Sequence, residues 1–81
     1  MNRELHLHDV IALLEGVPVK HFESGRPLCL HRGQIGTVVM TYTDGTCEVE
    51  FADRDGRAYA ILPIQPDKLM VLHVTPDYAA A

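Results

Sequence analysis

Apolar residues along the chain gather in short runs: Asp9 to Leu14, Gly36 to Tyr42, Cys47 to Ala52, Arg57 to Leu62 and Met70 to Val74. Clusters of Gly, Pro and Asp separate them, and no segment keeps apolar positions at helical spacing over three turns. The pattern therefore predicts an all-β domain. Asp9-Val10-Ile11-Ala12-Leu13-Leu14 reads as a first strand, the alternative being a one-turn helix capped by Asp9 and stopped by Gly16. Cys47 to Ala52 alternates cleanly, with Cys47, Val49 and Phe51 on one face and Glu48 and Glu50 on the other. Asp44-Gly45 precedes this run and Asp55-Gly56 follows it. Each dipeptide marks a hairpin turn, because glycine takes positive φ without steric cost. A three-stranded meander results.

Pro63 and Pro66 are expected to stop the fourth run at Leu62, and Pro66-Asp67-Lys68-Leu69 reads as a 3₁₀ turn before the last run. A bent meander of about five short strands, its last strand returning beside the first, closes most economically into a small barrel with covered edges. The connection from Glu15 to Gly33 is too long to be structureless in so small a domain. Val17-Pro18-Val19-Lys20-His21-Phe22 and Leu28-Cys29-Leu30 flank Glu23-Ser24-Gly25-Arg26-Pro27, which predicts an irregular hairpin over one mouth of the barrel. The expected division is an N-terminal extension over 1–8, the barrel over 9–75 with its hairpin-like loop at 15–33, and a flexible tail over 76–81.

These landmarks resemble SH3-like barrels. Gly33-Gln34-Ile35-Gly36-Thr37-Val38-Val39 is similar to the glycine-turn-strand segment of KOW-type barrels, in which the first glycine makes the turn and the second lets strands approach closely. From about Asp9 to Leu72 the chain also resembles a bacterial family of small SH3-like proteins known only as a domain of unknown function. That likeness is carried by Asp9 to Leu14, Gly33-x-x-Gly36-Thr37-Val38-Val39, Glu48-Val49-Glu50-Phe51-x-Asp53-x-Asp55-Gly56 and the closing Leu69. The excursion from Lys20 to Leu30 is longer here than in the family pattern. The resemblance implies a fold and a partner-binding role, with no reaction attached.

Composition narrows the function classes. With 81 residues, 47% of them hydrophobic and 22% charged, the chain is one small globular domain with a thin core and little room for an enclosed active site. Seven Lys and Arg against eleven Asp and Glu leave a net charge of −4, the wrong sign for holding a phosphate backbone by charge. No run is long or apolar enough for a signal sequence or a membrane span, so the expected compartment is the cytoplasm. Cys29 and Cys47 form no C-x-x-C pair and indicate neither a disulfide framework nor a zinc knuckle; each reads as a small hydrophobe or a spectator thiol.

Few residue groups suggest chemistry. Glu48 and Glu50 lie about 6.5–7 Å apart at strand rise, within the range of an inverting glycosidase pair, but an uncovered polar face offers no burial to tune them. Asp53-Arg54-Asp55-Gly56 begins like a calcium loop, yet Ile64 stands where the closing glutamate belongs. It is a turn. Cys29 and His31 lack a third group to orient the base. His6 and His8, alternating on a strand face, would meet His73 if the first and last strands pair, which is the weak metal alternative. No catalytic residue and no cofactor is indicated.

The charges read better as a surface. Asp44, Glu48, Glu50, Asp53 and Asp55 make the meander acidic, while Lys20, Arg26 and Arg32 make the excursion mildly basic. His21, Phe22 and Arg26 on an exposed loop supply the aromatic and guanidinium anchors that interfaces favour; the competing reading is that Phe22 plugs the barrel. Candidate partner-binding residues are thus His21, Phe22, Arg26, Arg32, Tyr42, Glu48 and Glu50. The expected function is a non-enzymatic protein-binding module, such as a small accessory or neutralising (antitoxin- or immunity-like) partner of a neighbouring gene's product. The alternative is a nucleic-acid-binding KOW-like domain using Arg32, Lys20, Arg26 and Tyr42. Incomplete strand edges make a monomer or a homodimer equally compatible with the pattern.

Overall fold

The computed structural model describes residues 5–79, so residues 1–4 of the expected extension and 80–81 of the expected tail lie outside the described residues. Seven strands and one 3₁₀ turn succeed one another: β1 (Val10–Leu13), β2 (Val17–Lys20), β3 (Pro27–Leu30), β4 (Ile35–Thr41), β5 (Cys47–Ala52), β6 (Ala58–Ile64), the turn at Pro66–Lys68, and β7 (Leu69–Val71). The all-β reading holds. β1 is a strand and no helical turn: Val10 stands opposite Thr37 of β4, and Ala12 opposite Met70 of β7. β2 and β3 form the expected hairpin within the long excursion, which brings the strand number above the five anticipated.

The main sheet runs β6-β5-β4-β1-β7, so the meander forms and the last strand returns beside the first. It does not close into a barrel, because β6 and β7 remain its two edges. β7 has only three residues, about 10 Å of strand, and gives one side to β1; little length remains for a second ladder. The extents of β6 and β7 also differ from expectation. β6 continues through Pro63, which sits opposite Glu48, because an edge strand tolerates a residue that donates nothing on its open side. β7 begins at Leu69 and stops at Val71, and the Leu72 amide makes a final bond to the Val10 carbonyl at 2.9 Å.

Ile11, Leu13, Val38, Cys47, Val49, Phe51, Ala60, Ile64 and Leu69 build the core from the inner face of the sheet. Leu30 joins them from β3, and Val17 and Val19 of β2 pack against the same cluster, so one face of the hairpin is a lid on the core. Gly36 is required by close approach. A β-carbon there would stand 2.7 Å from Val49 Cγ1 and 2.8 Å from Phe51 Cε1. This is the role that the KOW-like pattern implied for the second glycine, and Gly33, at φ +90°, makes the turn implied for the first.

Candidate functional site

The hairpin has two unlike faces because its strands alternate. Val17 and Val19 turn toward the core, while Pro18 and Lys20 are exposed. Pro18 pairs with Cys29 and Lys20 with Pro27, so the outward side carries two prolines, a lysine and an exposed thiol. An open recess of about 390 Å³ lies here, lined by Pro18, Val19, Lys20, Pro27, Leu28 and Cys29. It is almost wholly apolar apart from Lys20.

The tip beyond it is organised by its own hydrogen bonds. The His21 amide donates to the Arg26 carbonyl at 2.8 Å, and Gly25 N–H returns to the His21 carbonyl at 2.9 Å. Imidazole Nδ1 of His21 accepts the amides of Glu23 and Ser24 at 3.1 and 3.3 Å, which fixes the ring against the loop. The Phe22 ring stacks on it at a centroid distance of 5.7 Å and an interplanar angle of 5°. Phe22 remains 52% exposed, so it does not plug the core. Its backbone acts independently of the ring. Phe22 N–H donates to the Tyr59 carbonyl at 3.2 Å and fastens the tip to the open edge of β6.

The other expected site residues fall elsewhere. Arg32 belongs to the turn between β3 and β4 and lines a shallow cleft with Arg54 and Tyr59. Tyr42, Glu48 and Glu50 mark the outer side of the meander, where the Tyr42 hydroxyl donates to Glu48 Oε1 at 2.8 Å. That hydrogen bond, with the nearby carboxylate charge, raises the Tyr42 phenol above its ordinary value. The seven candidates thus separate into a tip (His21, Phe22 and Arg26), a cleft (Arg32) and an acidic face (Tyr42, Glu48 and Glu50).

The histidine trio does not assemble. His6 and His8 precede β1 in a turn, where the His6 amide donates to Asp9 Oδ2 at 2.8 Å and His8 has φ +74°. Neither lies on a strand, and among the described residues no three His, Cys, Asp or Glu side chains gather as a metal site. Cys47 is buried, which pushes its thiol up, and Cys29 is exposed on the hairpin. No helix among the described residues is long and apolar enough to cross a membrane.

Sequence reasoning missed Gln34, Arg54 and Tyr59 in the cleft. A signal was present, since antiparallel pairing puts the turn before β4 and the turn after β5 at one end of the sheet, and each carries an arginine.

Residues 7–71 match the family model of DUF4926, a domain of unknown function. The chain belongs to the DUF4926 family. The matched region runs from the turn before β1 to the end of β7, so the sheet, the hairpin and the cleft are all inside the DUF4926 domain. No curated protein and no solved structure matches the chain.

Proposed function

We propose that this DUF4926 domain is a non-enzymatic protein-binding module that engages its partner through the tip of the β2–β3 hairpin. The observation that carries this reading is the stacked His21–Phe22 pair, in which the tip's own hydrogen bonds hold the His21 ring and Phe22 is 52% exposed. A fixed aromatic costs little conformational entropy to bind and buries a large area, which is how a few residues dominate an interface. Arg26 beside it and the apolar recess along the hairpin extend the surface. In this reading the domain works in the cytoplasm as a small accessory or neutralising partner of a neighbouring gene's product, with an SH3-like sheet as the rigid support.

The nucleic-acid alternative draws on Lys20, Arg26, Arg32 and Tyr42. Tyr42 belongs to the acidic outer side of the meander, where its hydroxyl is engaged by Glu48, so the four residues do not share one basic track for a phosphate backbone.

The test is capture from the native cell with tagged wild-type chain and with Phe22→Ala. A stoichiometric protein retained by the wild type and lost by Phe22→Ala is expected. Absence of any stoichiometric protein, or equal capture by the variant, contradicts the proposal.

A further inference from the structure

β4 and β5 are antiparallel with Thr37 opposite Glu50, so the His31–Gln34 turn and the Asp53–Gly56 turn meet at one end of the sheet. Between them lies the cleft of about 500 Å³, with Arg32, Arg54, Ile35, Ala52 and Tyr59 among its lining. The chain carries eleven Asp and Glu residues, yet none of the described ones lines this cleft. Asp53, next to Arg54, is turned away, since its Oδ1 accepts the amides of Asp55 and Arg57 at 2.9 and 3.1 Å. Among the described residues neither Arg32 nor Arg54 has an ion-pair partner. Two arginines thus line one opening with no ion-pair partner among the described residues, in a molecule whose net charge is −4.

A hydrogen-bond relay arranges a third donor. Gln34 Oε1 accepts the His31 amide at 3.3 Å, and Gln34 Nε2 donates to the Tyr59 hydroxyl oxygen at 2.8 Å. That oxygen already accepts, and the hydroxyl hydrogen is left to donate to a ligand. The lining therefore includes two guanidinium groups and a phenol, all donors, beside the apolar side chains of Ala52 and of Ile35, which is 58% exposed. This set matches a carboxylate, whose two oxygens accept a guanidinium fork in parallel while its methylene stem can lie against Ile35 and Ala52. A long polyanion fits less well, because two arginines among the described residues line the cleft and the outer face of β5 carries Glu48 and Glu50.

We infer that the Arg32–Arg54–Tyr59 cleft receives a carboxylate side chain from an acidic segment of a protein partner. The inference rests on the protein-binding reading above and gives the partner its chemistry. The hydrogen bond that Phe22 N–H donates to the Tyr59 carbonyl makes the hairpin tip and the cleft neighbours on β6, so one partner can occupy both.

The test is an NMR titration of the ¹⁵N-labelled full chain with capped tetraglutamate peptide, inorganic phosphate and polyuridylate as separate probes. The expected result is that tetraglutamate shifts the signals of residues 31–35, 52–54 and 59, with affinity about tenfold weaker in Arg32→Gln/Arg54→Gln. Tyr59→Phe, which keeps the ring and loses the donor, is expected to weaken binding as well. Four results overturn the inference: no shifts at millimolar peptide, shifts unchanged in the double variant, an equal response to phosphate, or tighter binding of polyuridylate. Cellular capture separates the two readings. A partner lost by Phe22→Ala but retained by Arg32→Gln/Arg54→Gln leaves the protein-binding function standing and removes the cleft from it.

Discussion

At the scale of single residues, two kinds of glycine make different predictions. Gly36 has ordinary backbone angles but no space, so Gly36→Ala drives a methyl into Val49 and Phe51 and should cost about 1–3 kcal/mol. Gly56 has space but an unusual backbone: at φ +83° nothing lies within 4 Å of its would-be β-carbon, so Gly56→Val should lose about 1–2 kcal/mol through left-handed strain alone. Urea midpoints measure both, and a neutral Gly36→Ala would mean that the sheet approaches less closely there. Phe51→Ala empties the largest fully buried side chain and should cost about 3–5 kcal/mol. Tyr42 gives a prediction in pH. Its hydrogen bond to Glu48 raises the folded-state phenol, so the associated stability is present below the ordinary tyrosine range and is lost as pH rises through the raised value. A tyrosinate absorbance titration of Glu48→Gln should show one tyrosine ionising at lower pH than in the wild type; an unchanged curve contradicts the bond.

At the scale of elements, the contrast is between the meander and the hairpin. The meander was legible because Cys47, Val49 and Phe51 alternate with charged residues and an Asp-Gly turn stands on each side. The extent of β6 was not, because Pro63 bars a central strand and only neighbours show that β6 is an edge. The hairpin was visible as two apolar stretches around Glu23 to Pro27, but its anchoring was not. That depends on a backbone bond from Phe22 to Tyr59, far apart in sequence, and backbone bonds leave no trace in side-chain pattern. The same separation hid most of the cleft, since Gln34 and Tyr59 are brought together only by register. Among the described residues, Phe22 to Tyr59 is the one backbone bond tying residues 17–30 to the main sheet. Native-state hydrogen exchange should therefore find β2 and β3 opening at lower free energy than β5, which is paired on both sides. Equal protection would show the hairpin to be part of one cooperative unit.

At the scale of the whole molecule, a small open sheet is completed by a hairpin that covers the core with one face and offers the other to solvent. The edges at β6 and β7 are protected by different means: Pro63 and the fastened tip on one side, and shortness on the other. Charge is divided as well. Glu48 and Glu50 hold the outer face of β5, while Arg32 and Arg54 hold the end of the sheet near the turns, an arrangement that under the proposed binding role would orient a partner of mixed charge before contact. The expected meander with its last strand beside the first is present but the expected closure is not, because hydrophobic patterning records which faces are buried and not whether two edges meet. The most direct measurement of the binding account is a hydrogen-exchange footprint of the captured complex against the free chain. Protection should appear at residues 21–26 of the hairpin tip. Protection confined to the outer face around Glu48 and Glu50, with the tip exchanging as in the free chain, would contradict it.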